Sequence, residues 1–89
     1  MKPIYVHLAE GFEEIEAITI IDVLRRAALN VQTVSVTGEH EVTGAHGVPV
    51  KADLLFEKAS YDESQMIILP GGMPGSKNLM EHTGLSKQL

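Results

Sequence analysis

Cysteine and tryptophan are absent from this chain of 89 residues, and its aromatic complement is two Tyr and two Phe. Without a thiol, these residues cannot form disulfides or thiolate metal sites, and they hold no cysteine nucleophile. So few rings leave a core to be built from Ile, Leu, Val and Ala, the usage that suits a parallel sheet covered by helices. Basic charge is also short: seven Lys and Arg stand against twelve Asp and Glu. The net charge of −5 argues against a nucleic-acid or anionic-membrane footprint. Long apolar runs are missing too. The first, from Ile4, is interrupted by His7 and is too short for a signal-peptide core or a membrane span. A cytoplasmic address with no membrane partner is therefore expected, and the length allows one domain or less.

The β-branched stretch Ile4 to Ala9 predicts a short buried strand ending at the turn Glu10-Gly11. A helix is expected from about Glu14 to Ala28, with acids first and Arg25-Arg26 last, the order a helix dipole favours. Ile15, Ile18, Ile21 or Asp22, and Leu24 or Arg25 supply its apolar stripe. Alternation from Val31 to Val36 predicts a second strand, parallel to the first across the crossover. Gly38, Gly44 and Gly47 then punctuate two β-like pieces, Glu41 to Thr43 and Val48 to Lys51, read as a surface excursion. Phe56 to Gln65 is a polar connection. The most apolar run, Met66 to Leu69, predicts a buried strand feeding the turn Pro70-Gly71-Gly72. Pro74 is expected to start a short helix through Met80, and Thr83 to cap another. The sequence stops within helical pattern at Leu89, which reads as a fragment, with a frayed natural terminus as the alternative.

Reacting groups in an open parallel sheet gather at the carboxyl ends of its strands. Two segments occupy that position: Glu10 to Glu16, and Pro70 to Gly75. Glu13 and Glu14 are most simply solvated acids complementing the helix dipole, whereas Glu16 sits one step further in. A carboxyl group buried beside a thiolate would be pushed toward its protonated form and could donate a hydrogen bond to sulfur. The Gly71-Gly72 pair would let backbone N–H groups face an oxyanion, although plain turns use such pairs as well. Neither G-x-G-x-x-G nor a Walker loop is present, so nucleotide phosphates are disfavoured. A magnesium site at the three glutamates lacks partner acids at supporting spacing. His7, His40, His46 and His82 share no metal-ligand spacing, except His40 and His46 across the excursion, where loop solvation is the simpler reading. The methionines read as core or gap fillers, and no serine has a nucleophile-elbow context. No metal and no cofactor are expected.

Leu8-Ala9-Glu10-Gly11-Phe12-Glu13-Glu14-Ile15-Glu16-Ala17, Asp22-Val23-Leu24-Arg25-Arg26, Gly47-Val48, Ala52-Asp53, Tyr61-Asp62 and Ile68-Leu69-Pro70-Gly71-Gly72 occur in this order. In combination the sequence resembles the ThiJ/PfpI superfamily, in the branch of the parkinsonism-associated deglycase and bacterial ThiJ-like proteins. The resemblance implies a flavodoxin-like α/β fold, a parallel sheet sandwiched by helices, of which residues 1–89 form the amino-terminal half of a single domain. It implies a nucleophilic cysteine on a strand-to-helix elbow beyond Leu89, with Glu16 bonded to its sulfur and Gly72, beside Gly71, giving an oxyanion N–H. A homodimer is implied as well, with Glu14, Asp22 and Arg26 partly at its interface. The expected whole is a cysteine-dependent enzyme acting on small reactive carbonyls, in the manner of a glyoxalase or deglycase, or an oxidative-stress sensor and chaperone. The alternatives are a non-catalytic half-domain that assembles with a missing carboxy-terminal half or second chain, and an amidotransferase- or peptidase-like relative.

Overall fold

The computed structural model describes residues 1–71 and 75–88, the side chains of Ser76 and Ser86 apart. Strand β1 (Ile4–Leu8) leads to helix α1 (Glu14–Arg26) and returns as β2 (Val31–Ser35), parallel to β1 with Ile4 opposite Val31 and Leu8 opposite Ser35. The excursion is an antiparallel hairpin of β3 (Glu41–Thr43) and β4 (Pro49–Lys51). A two-residue strand, β5 (Leu54–Leu55), then pairs in parallel with β2. Two 3-10 turns, Phe56–Lys58 and Tyr61–Glu63, lead into β6 (Met66–Ile68), and helices α2 (Gly75–Met80) and α3 (Thr83–Gln88) follow. The main sheet runs β5-β2-β1-β6, every pairing parallel. Among the described residues no helix is long and apolar enough to cross a membrane.

Every residue of β1 is buried, because the strand lies inside the sheet with cover on both faces. Val6 packs with Ile21 and Val31, and Leu8 with Phe12 and Ala17, on the α1 side. On the other face Ala9 packs with Leu79 of α2 and Leu85 of α3. That second face departs from the aliphatic core expected of this composition. Three of the four aromatic residues assemble there: Tyr61 lies 5.3 Å from Tyr5 and 5.4 Å from Phe56, ring centre to ring centre. His82 meets Phe56 edge-on at 4.6 Å.

Helix α1 corrects the expected stripe. Ile15 and Ile18 are exposed, and the buried positions are Glu14, Ala17 and Ile21, with Ile20 and Leu24 packed at the same face. These positions recur at helical spacing, so the true stripe is offset from the one that Ile15 and Ile18 suggest. The helix ends two residues earlier than expected. Ala28 adopts the left-handed conformation (φ 62°), with the Leu29 N–H bonded to the Leu24 carbonyl, a Schellman closure with alanine where glycine is usual. A second correction concerns Met66 to Leu69. Met66 is 51% and Leu69 39% exposed, because β6 pairs with β1 on one side and, among the described residues, with nothing on the other. A groove of about 370 Å³ lined by Thr19, Ile20, Val23, Leu24 and Ile68 runs beside this edge. At α3, the ring of His82 rather than Thr83 supplies the cap, its Nδ1 accepting the Leu85 N–H at 2.9 Å. The expected start at Pro74 lies outside the described residues.

His7 is fully buried within β1. Its Nδ1 faces the Ile68 carbonyl at 3.2 Å, which can only accept, so Nδ1 carries the proton and Nε2 accepts from the Tyr61 hydroxyl at 2.5 Å. Burial lowers the His7 pKa to about 4, against smaller opposing contributions from backbone bonds, and burial raises that of Tyr61 to about 12. A neutral histidine whose folded pKa lies below 6.5 stabilises the fold fully above that value and loses its contribution as pH falls toward 4. The predicted loss is on the order of 3 kcal/mol. Urea denaturation at pH 7 and pH 4 should show it in the parent, and the double substitution His7→Ile with Tyr61→Phe should remove most of the difference.

Candidate functional site

The parallel ladder that places Val6 opposite Ile68 also carries the two following loops to the same end of the sheet. After β1 the chain turns back on itself, the Phe12 N–H bonding the Ala9 carbonyl, and Phe12 is buried among Leu8, Ala17, Val42 and Ala52. That anchor fixes the entry into α1. Glu13 is the N-cap, its Oε1 accepting the Ile15 N–H at 2.9 Å, so it contributes a capping bond rather than a freely solvated charge.

Glu16 faces the loop after β6. Its Oε1 accepts the Gly71 N–H at 2.6 Å, and the Gly71 carbonyl accepts the Glu13 N–H at 3.3 Å. A Cβ on residue 71 would stand 2.9 Å from Glu16 Oε1, so glycine is what lets the carboxylate approach this closely. The two loops expected to share one end of the sheet therefore do so. The Gly71 N–H is bonded to the Glu16 carboxylate. Gly72 lies outside the described residues. In α2, which follows, the Gly75 N–H bonds the Gly11 carbonyl at 3.0 Å, and Asn78 Nδ2 bonds the Glu10 carbonyl at 2.7 Å.

Glu14 overturns the expectation of a solvated acid. It is 9% exposed and turned toward the tip of the β3–β4 hairpin. Its Oε2 accepts the N–H groups of His46 at 2.7 Å and Val48 at 3.2 Å, and its Oε1 meets His46 Nδ1 at 2.9 Å. Gly44 makes room, since a Cβ there would lie 2.4 Å from the Glu14 carboxyl carbon. Burial alone would raise the Glu14 pKa. Hydrogen bonds from the His46 ring and from the N–H groups of Glu14 itself, His46 and Val48 outweigh it and hold the carboxyl at about 2. His46 is raised above its ordinary value, first by the bond to Glu14 and then by the charges of Glu14 and Glu13. His46 is thus no plainly solvated loop residue, and His40 too is bonded, to the Ala52 carbonyl at 3.0 Å.

Of the three residues expected at a dimer interface, Glu14 is spent inside the chain. Asp22 and Arg26 stay exposed and pair with each other at 3.2 Å one helical turn apart. Sequence reasoning weighed His46 only with His40 and read the pair as loop solvation. The available signal was Glu14 itself, which falls on the stripe of Ala17, Ile21 and Leu24 and so had to find an inward partner.

Residues 2–89 match the DJ-1/PfpI family. The chain belongs to that family. It is 40% identical over 74 residues to Protein DJ-1 homolog B of Arabidopsis thaliana, covering 83% of this chain and 17% of that protein. With the Parkinson disease protein 7 homolog of Danio rerio it shares 34% identity over 92 residues, covering 99% of this chain and 47% of the relative. The oxidized DJ-1 of Toxoplasma gondii superposes with a TM-score of 0.93 at 38% identity, covering 99% of this chain and 48% of that one. The chain thus spans about half the length of these last two DJ-1 relatives. The α/β arrangement with a four-stranded parallel sheet corresponds to roughly the amino-terminal half of DJ-1 structures.

The Glu14 clasp yields a prediction. Glu14→Ala should free the hairpin tip, and the His46 and Val48 amides should exchange with deuterium roughly tenfold faster or more, as expected when bonds to a charged acceptor are lost. Protection at Val6 and Val34 in the sheet should change far less.

Proposed function

We propose that this DJ-1/PfpI chain is the amino-terminal half of a cysteine-dependent domain acting on small reactive carbonyls, or serving as an oxidative-stress sensor or chaperone. The observation that carries the proposal is the bond between Glu16 and the Gly71 N–H, which holds a carboxylate against the turn after β6 at the carboxyl ends of the strands. Among the described residues Glu16 Oε2 holds no hydrogen bond, so it is the oxygen proposed to face a sulfur. The chain has no thiol, so the nucleophile comes from further polypeptide completing the sheet, whether covalently joined or a second chain.

In the proposed chemistry the thiolate adds to the carbonyl carbon and the π-electron pair moves to oxygen. The backbone N–H of Gly72 stabilises that oxygen. Glu16, protonated beside the sulfur, first tunes the thiol and then passes its proton to the oxyanion, giving a hemithioacetal. With a peroxide as oxidant, the same sulfur would become a sulfinate bonded to protonated Glu16, the state a sensor would use.

A half-domain that assembles without catalysis is the second reading. Met66 and Leu69, exposed along a β6 edge that is unpaired among the described residues, and the apolar groove beside it support it. A bare parallel edge of this kind invites a further strand.

The test is made on the domain completed by its cysteine-bearing remainder, supplied in the same chain or in trans. Methylglyoxal loss should depend on the cysteine, and Glu16→Gln should slow it by roughly a hundredfold while shifting the pH profile of thiol alkylation. An unchanged alkylation profile would remove Glu16 from the mechanism. Stable association without carbonyl turnover or cysteine oxidation would favour the half-domain reading.

A further inference from the structure

The hairpin tip and the start of α1 bring together three donors that sequence spacing keeps apart. His46 Nδ1 lies 2.9 Å from Glu14 Oε1 and 4.0 Å from Glu13 Oε2, and one donor atom from each residue lies within 4.8 Å of the others. We propose that Glu13, Glu14 and His46 form a binding site for a divalent transition-metal ion of the zinc type. The inference is independent of the carbonyl reading.

Each donor retains capacity for an ion. Glu13 uses Oε1 for the N-cap, and among the described residues its Oε2 holds no hydrogen bond. Glu14 gives Oε2 to the N–H groups of His46 and Val48, and Oε1, which meets the His46 ring, has lone-pair capacity for an ion. Nδ1 of His46 binds once its proton passes to solvent. An ion with bonds of about 2.0–2.2 Å sets its ligand atoms about 3–4 Å apart, so the separations need only a small swing of Glu13.

The donors come from two elements that the backbone already locks together. The Ala45 N–H bonds the Phe12 carbonyl at 2.8 Å, and the Gly11 N–H bonds the Thr43 carbonyl at 2.9 Å. Their approach therefore does not wait for the ion. One imidazole nitrogen with two carboxylates suits zinc, which takes mixed nitrogen and oxygen ligands, better than magnesium or calcium, which prefer oxygen alone. The His46 side chain is 71% exposed, leaving the remaining coordination positions to water or an exogenous ligand. An ion there would also bridge the hairpin to the helix that carries Glu16.

Calorimetric titration of zinc ions alone into the 89-residue chain tests the proposal. The expected result is one ion per chain. His46→Ala and Glu13→Gln should each weaken binding by roughly tenfold or more with unchanged circular dichroism, and His40→Ala should bind as the parent does. Both ligand variants sit at exposed or half-buried positions, so the fold is preserved, whereas Glu14 replacements would also free the hairpin tip. Absence of one-to-one binding would overturn the assignment, and so would binding that His46→Ala leaves intact.

Discussion

Glu13, Glu14 and Glu16 each bond a different piece of backbone, and the geometry of the carboxyl edge depends on those bonds. Glu13 closes the first turn of α1, Glu14 draws in the tip of the β3–β4 hairpin, and Glu16 holds the loop after β6 at Gly71. Three like charges so close would repel if left in water. Here N–H groups take up the negative charge, with the positive end of the helix dipole alongside. The start of α1 thereby becomes the hub that registers the hairpin, the helix and the second loop against the sheet. Family membership supplies the broader frame, and these bonds supply the local reason why a reacting group could be positioned here.

The strands and the first helix were legible because their signals are local. The β-branched run of β1, the alternation of β2 and the glycine-punctuated hairpin all fall within a residue or two of expectation. The two loops were also legible as neighbours, since parallel strands of one sheet put their carboxyl ends on one side. The phase of α1 was harder. Ile15 and Ile18 are exposed, whereas Ala17 and Ile21 occupy the buried face and Glu14 lies in line with them. A carboxylate on a buried face is decipherable only with its partner, and His46 lies 32 residues away. His7 and Tyr61 pose the same difficulty across 54 residues, so a histidine that interrupts an apolar strand reads as a flaw until its partner is seen.

The strand β6 shows a different limit. Its residues have the composition of a buried parallel strand, and the chain that presents them leaves them half exposed. Composition reports the environment a segment is suited to, and neighbours determine the environment it has. The apolar edge and the adjoining groove belong to a chain that spans about half the length of the DJ-1 structure it matches.

The contact between Glu16 and Gly71 is the account's central claim, and the Gly71 amide reports on it directly. In a ¹H–¹⁵N spectrum that amide should lie downfield, and its proton should move upfield as acid protonates Glu16, a movement that Glu16→Gln abolishes. A Gly71 amide that follows no carboxylate titration, or one that behaves identically in the Glu16→Gln variant, would contradict the account.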